Sequence, residues 1–336
     1  MRALTFRGVT EIRLENVSDP SLRSGDEAIV RVDRAGLCGS DLHVYHGREV
    51  GIDPGTVMGH ELVGHVVEGV LKGKRVVAPF STACGACFYC MRRLSARCVH
   101  GQLFGWVQDG KGLEGCQAEY VRVPLAASSL LVVDEGLPAE LALLLADVVP
   151  TGWYVARDVC RDAVVVVIGC GPIGLAAVVA AREQGARRVF AIDDVPERLD
   201  QAQRFGAEPL NRHGGVFEAV RDATEGRGAD AALEVVGSEA ASRLAFDLVR
   251  PGGVVSIAGV HHEARFAFSP VEAYDKNVTV RIGRCPARSL MEEMLGFVRK
   301  HPELREIITH VRPLTADAYT MFDRKEDGCI KVAFAP

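Results

Sequence analysis

Hydrophobic residues are spaced in two different ways along this chain. Through Val123 they fall in short runs with polar alternation, Glu27 to Val32, Leu62 to Glu68, Lys74 to Ala78 and Ala118 to Val123, separated by Gly and Pro. Such runs predict half-buried strands, and together they predict a barrel-like β domain with irregular loops. From Ala163 the texture changes. Ala163 to Ile168 is an unbroken apolar run of the buried-strand type, Ile173 to Gln184 reads as a helix, and Arg188 to Ile192 as the next strand. Pro196 to Phe205 predicts a second helix, with Pro at a permitted early position and Gly206 as its stop. Ala231 to Val236 and Gly253 to Gly259 add strands. Alternating strands and helices predict an α/β fold with a doubly wound parallel sheet. Asn277 to Arg284 reads as its edge strand, apolar enough to pair with a second subunit.

The 336 residues suit about two domains, and 48% hydrophobic residues supply sizeable cores. The longest apolar runs, Ala163 to Ile168 and Leu141 to Ala146, fall far short of the ~20 residues that span a bilayer. No charged-then-apolar leader opens the chain, so a soluble, cytoplasmic protein is expected, with no membrane partner. A net charge of −5 with interspersed signs offers no basic field for nucleic acid.

Candidate chemistry sharpens this picture. Cys84, Cys87, Cys90 and Cys98 form a C-x2-C-x2-C-x7-C run that can close a tetrahedral thiolate shell around Zn2+, leaving no open position. A disulfide framework suits small secreted chains better than one with six further scattered cysteines. Gly169, Gly171 and Gly174, with Pro172 and Ile173 between them, follow a predicted strand and open a predicted helix, while Asp193 ends the next strand. In that context the glycines cradle a dinucleotide pyrophosphate, and Asp193 accepts from the adenosine ribose and repels a 2'-phosphate, so NAD is expected over NADP. Cys38 and His60 offer one soft and one imidazole ligand for a second metal, which needs a third.

These motifs resemble those of the zinc-containing medium-chain alcohol dehydrogenases. The resemblance spans nearly the whole chain: C-G-S-D-L-H at 38–43, G-H-E at 59–61, the four-Cys lobe, the stretch from Gly115 to Val121, D-x-x-P-T-G at 147–152, the glycine fingerprint and R-P-G-G at 250–253. It implies a GroES-like catalytic domain at 1–148 that resumes at 284–336, around a Rossmann domain at 149–283, with the active site in the cleft. It assigns the catalytic zinc to Cys38, His60 and Asp147, with Glu61 beside it or as an occasional ligand. Asp rather than Cys at 147 resembles the formaldehyde-dehydrogenase-like branch. By the same resemblance Ser40 takes the substrate proton and His43 passes it on, while Thr151, Arg198 and Lys331 join the glycines and Asp193 at the cofactor. Phe80, Trp106 and Trp153 are weaker pocket candidates, and His46, His65, His100, His261 and His262 read as packing or solvent residues. The short turn within 64–74 and Cys116 in place of an expected glycine are departures from the family pattern.

The implied activity is reversible hydride transfer between an alcohol and NAD, with two zinc ions per subunit in a homotetramer or, failing that, a homodimer. Formaldehyde, polyol or threonine oxidation and aldehyde dismutation share the same ligands. A zinc- and dinucleotide-binding redox sensor is the non-enzymatic alternative, although it needs a basic face and lost ligands.

Overall fold

The valine run emerges as the middle of a parallel sheet. In the computed structural model, which describes residues 1–157 and 159–336, strand Val164–Ile168 is buried on both faces and pairs in parallel with Arg188–Asp193 on one side and Ala229–Glu234 on the other. The full order is Glu208–Asn211, Arg188–Asp193, Val164–Ile168, Ala229–Glu234, Val249–Ile257, Thr279–Ile282. The order reverses beside the first strand of the series, where open α/β sheets place their ligands. Helix Pro172–Glu183 covers one face with a continuous stripe of buried Ala, Val and Leu. The expected edge strand is found at the edge, shortened to Thr279–Ile282.

The remaining strands build a seven-stranded, mostly antiparallel sheet. Its order is His310–Arg312, Val332–Phe334, Ala28–Leu37, Leu62–Gly69, Arg75–Ala78, Leu131–Val132, with Tyr120–Val123 also paired to Ala28–Leu37. Each run predicted from alternation in this region contains or overlaps a strand; the ends move because Gly69 turns the chain with φ at +85° and Ala118 only bridges to Ala3. The short turn within 64–74 is the hairpin between Leu62–Gly69 and Arg75–Ala78. Leu4, Leu37, Leu62, Phe104, Tyr319 and Phe334 fill its core.

Backbone contacts group the chain into two units, Met1–Pro150 with Pro286–Pro336, and Thr151–Cys285. Among the described residues no helix is long and apolar enough to cross a membrane.

Candidate metal and cofactor sites

Cys38, His60 and Asp147 come from three separate parts of the first unit. Cys38 is the N-cap of helix Gly39–Tyr45, where Asp41 closes a capping box by accepting from the Cys38 N–H at 2.9 Å. His60 and Glu61 immediately precede strand Leu62–Gly69, and Asp147 lies between helices Ala139–Leu144 and Val148–Ala156. One ligand-type atom from each of Cys38, His60, Glu61 and Asp147 falls within 4.8 Å of the others, and all four residues are buried.

The surrounding hydrogen bonds prepare the group for a cation. The Cys38 thiol faces Asp147 Oδ2 at 3.6 Å. His60 turns Nδ1 toward Asp41 Oδ1 at 3.2 Å, which leaves Nε2 for a ligand role. Burial works against a charged His60, but the Asp41 carboxylate outweighs it and raises the imidazole pKa. Burial likewise pushes the Cys38 thiol up. Glu61 is raised by burial and held back by Lys331. The Lys331 Nζ stands 2.9 Å from Glu61 Oε1 and donates to the Leu37 carbonyl at 3.1 Å. Glu61 Oε2 lies 2.7 Å from the same ammonium but receives no hydrogen bond. Soft and hard donors, two of them acidic, crowd together around an imidazole, and this set fits a zinc ion with a position to spare. Ser40 Oγ stands 3.4 Å from His60 Nε2, and His43 follows one turn along the same helix.

The four lobe cysteines also converge, with their sulfurs within 4.8 Å of one another. Cys87 and Cys98 sulfurs are 3.9 Å apart, close to the ~3.8 Å edge of a tetrahedron with ~2.3 Å zinc–sulfur bonds. Backbone N–H groups donate to the sulfurs, Cys84 to Cys98 at 3.2 Å and Cys87 to Cys84 at 3.3 Å. Backbone donors at Cys90 and Val99 bring the Cys87 thiol down to about 6, whereas burial and the neighbouring Cys87 push Cys90 up to about 12. Four sulfurs this close need a cation before all can be thiolates, so the lobe fits a structural zinc. No disulfide joins any of the ten cysteines.

In the second unit Gly169 takes φ +92°, and a side chain on Gly174 would collide with the Gly169 carbonyl, so the loop closes tightly onto helix Pro172–Glu183. Gly171 is different. A Cβ there would meet only an Arg198 nitrogen at 3.9 Å, and the helix has no side-chain cap, which leaves backbone room for a pyrophosphate. Asp193 Oδ2 accepts from the Cys170 N–H at 2.7 Å, and Arg198 approaches the same oxygen at 3.8 Å. Thr151 is buried in helix Val148–Ala156. Lys331, grouped with the cofactor residues by resemblance, is buried in the first unit, where it pairs with Glu61. Phe80 is buried, and Trp106 and Trp153 are half-buried.

Several polar groups carry more than the sequence indicated. Asp41 orients His60, and Gln117 and Tyr319 extend that contact. Cys116 is buried and its thiol donates to the Glu61 carbonyl at 3.2 Å. His261, expected to pack or face solvent, bridges two carboxylates, Glu234 through Nε2 and Glu263 through Nδ1, each at 3.0 Å. Glu234 also accepts from the Val236 and Gly237 N–H groups at 2.7 Å, and Val236 packs against Gly169. His261 therefore braces the segment behind the glycine loop. Burial lowers its pKa, but hydrogen bonds to Glu234 and Glu263 more than offset this and raise it. The brace stabilises the fold fully below the unfolded imidazole value of ~6.5 and is lost as pH rises through the raised folded value. His261→Gln is expected to lower the thermal midpoint most at acidic pH, with the gap to wild type closing as pH rises. A gap that stays constant with pH would remove the ion pair from this account.

A discontinuous β unit holding one open and one closed metal site, with a parallel-sheet unit carrying a glycine loop, defines the class of zinc-binding dehydrogenases. Residues 24–133 match the family model "Alcohol dehydrogenase GroES-like domain", and residues 172–300 match "Zinc-binding dehydrogenase". A medium chain reductase/dehydrogenase from Acremonium sp is 46% identical over 292 residues, 82% of this chain and 98% of that protein. Zinc-type alcohol dehydrogenase B from Aspergillus flavus is 38% identical, covering 96% of this chain and 79% of the relative. The solved alcohol dehydrogenase of Thermus sp. ATN1 superposes with a TM-score of 0.94 over all of both chains, at 36% identity. The chain belongs to the zinc-containing medium-chain alcohol dehydrogenase superfamily.

Proposed function

We propose that the chain is an NAD-dependent zinc alcohol dehydrogenase that oxidises primary or secondary alcohols and reduces the corresponding aldehydes or ketones. The observation that carries this is the convergence of Cys38, His60 and Asp147 with Ser40 beside the same imidazole. A zinc ion held by Cys38, His60 and Asp147 would supply Lewis acidity toward an alcohol hydroxyl, and a bound nicotinamide would supply the hydride acceptor.

The protein's own residues handle position and proton. Asp41 holds His60 in the tautomer that presents Nε2. Lys331 balances Glu61, so the buried anions of the centre do not all repel a substrate oxygen. Ser40 Oγ takes the hydroxyl proton and His43, one turn along the same helix, carries it outward. In the second unit the amides around Gly171 hold the pyrophosphate, and Asp193 accepts from the adenosine ribose hydroxyls with Arg198 alongside. Asp193→Gly is expected to erode the preference for NAD over NADP, read as the ratio of kcat/KM values; an unchanged ratio would remove Asp193 from the selectivity.

Asp147 favours one narrower reading within the same chemistry, the formaldehyde-dehydrogenase-like branch, whose members resemble this chain at that position. Edge strand Thr279–Ile282 supports a homodimer or homotetramer, and the reading is of a cytoplasmic enzyme. The test is zinc per chain by elemental analysis together with NADH formation on short alcohols, polyols and formaldehyde. Two zinc ions with alcohol-dependent NADH support the proposal, and the substrate ranking separates its branches. One zinc and no turnover on any substrate would sink it.

A further inference from the structure

We infer that Gln117 and Tyr319 are positioning residues for the metal centre, acting on His60 through Asp41. The inference rests on the reading of Cys38, His60 and Asp147 as zinc ligands. Tyr319 lies in helix Asp317–Arg324 and is fully buried, and its hydroxyl donates to Gln117 Oε1 at 2.7 Å. Gln117, also fully buried, donates from Nε2 to the Gly36 carbonyl at 3.1 Å and to Asp41 Oδ2 at 3.3 Å. Asp41 Oδ2 accepts in addition from the Cys38 N–H, and Oδ1 faces His60 Nδ1. A single line of polar groups thus runs from a C-terminal helix to the imidazole.

The chemistry of each link fixes the next. A carboxamide can be turned over, but the reversed Gln117 would set its oxygen against the Gly36 carbonyl and against a carboxylate, while Tyr319 would lose its acceptor. The Tyr319 hydroxyl therefore selects the orientation in which Gln117 donates to Asp41. That donor, with the Cys38 N–H, occupies Oδ2 and leaves Oδ1 for His60. Nδ1–H bound to Oδ1 then forces the lone pair onto Nε2, the nitrogen that Ser40 Oγ approaches at 3.4 Å and that remains free to ligate a metal. Packing agrees with this arrangement. Gly59, next to the ligand, has φ +91°, and a side chain there would collide with Gln117 Cγ. The glycine before His60 thus gives Gln117 its place.

Ordinary core residues at these positions would contribute stability without touching metal affinity. Carboxylate and amide groups that orient a ligating imidazole typically change metal affinity by about 10- to 100-fold when removed. The experiment measures zinc binding to the full-length protein by competition with a chromophoric chelator, with the four-Cys lobe loaded, for wild type, Gln117→Leu and Tyr319→Phe. The visible spectrum of the Co2+-substituted protein serves as a second readout. The expected result is zinc held at least about fivefold more weakly by both variants, with a changed Co2+ spectrum and the lobe metal retained. Affinity within about fivefold of wild type and an unaltered spectrum would overturn the inference, even if the melting midpoint falls. Should Gln117→Leu not fold, Tyr319→Phe decides alone, since it removes one hydroxyl and leaves the ring packing in place. Wild-type protein that binds zinc only at the four cysteines would overturn the centre itself and the relay with it, whereas two wild-type zinc ions with unaffected variants would overturn the relay only.

Discussion

Asp147→Ala is expected to give a folded protein that retains one zinc ion per chain and turns over alcohol at least about a hundredfold more slowly. The fold should tolerate the change because Asp147 sits among other buried acids: it pushes up the pKa of both Cys38 and Glu61, so its removal relieves like-charge crowding. Catalysis should not tolerate it, since an open three-ligand site would be left with two. Groups that merely orient ligands cost about 10- to 100-fold, so a ligand itself stands at or beyond the upper end. Cys90→Ala should behave in the opposite way. The lobe between Cys84 and Cys98 contains only two short 3-10 turns, Cys90–Arg92 and Ser95–Arg97, and exposes Phe88, Met91 and Leu94. With so little apolar burial, metal binding supplies its folding energy. Loss of that zinc should lower the melting midpoint and open the segment to proteolysis. Full activity in Asp147→Ala, or two zinc ions in it, would disqualify Asp147 as a ligand.

Lys331→Met is expected to destabilise the metal-free protein by about 3–5 kcal/mol, the range for breaking a buried ion pair from one side. Lys331 and Glu61 are both fully buried, and the ammonium is the only cation within hydrogen-bond reach of that carboxylate among the described residues. Burial works against the charge on Lys331, but Glu61 more than compensates and raises its pKa. Methionine fills most of the space of lysine's aliphatic stem but removes the ammonium, leaving buried Glu61 without its counterion. The double variant Glu61→Gln with Lys331→Met should recover most of the loss, because it removes both charges together. Urea unfolding of the apo protein checks this. A single-variant loss below about 1 kcal/mol would mean that the pair is already solvated and contributes little.

The parallel sheet was legible because buried strands cannot alternate. Val164 to Ile168 has no polar residue, and Gly169 and Gly174 occupy a turn too crowded for side chains, where the loop closes onto the following helix. The four cysteines were legible for a similar reason, since their spacing alone places the sulfurs near each other. Asp147 could be picked out only by resemblance, because an isolated acid after an apolar run has no local signal of its own. The rest was hidden by separation along the chain. Gln117 and Tyr319 are 202 residues apart, and Glu61 and Lys331 are 270 apart, so no window of sequence contains either pair. Resemblance groups Lys331 with the cofactor residues, but its contact with Glu61 had no local signal, because lysine is seldom fully buried and only a carboxylate partner makes that burial tolerable. Gln117 had only a faint signal, an amide just before the strand-forming run Ala118 to Val123 and next to an unexpected Cys116, and its burial, which requires partners, shows only in the fold.

The distribution of this centre along the chain also sets an order of assembly. During synthesis Cys38, His60, Glu61 and Asp147 are all translated before the second unit, while Tyr319 and Lys331 follow it. The contiguous second unit can fold as soon as it emerges, but the first must wait for its returning segment to fill the place of strand Val332–Phe334 beside Ala28–Leu37. Until then Glu61 lacks its counterion and Gln117 lacks the hydroxyl that orients it. A nascent chain that captured metal early would do so with an unbalanced and unaligned set of donors, so correct metallation belongs to the final stage of its biogenesis.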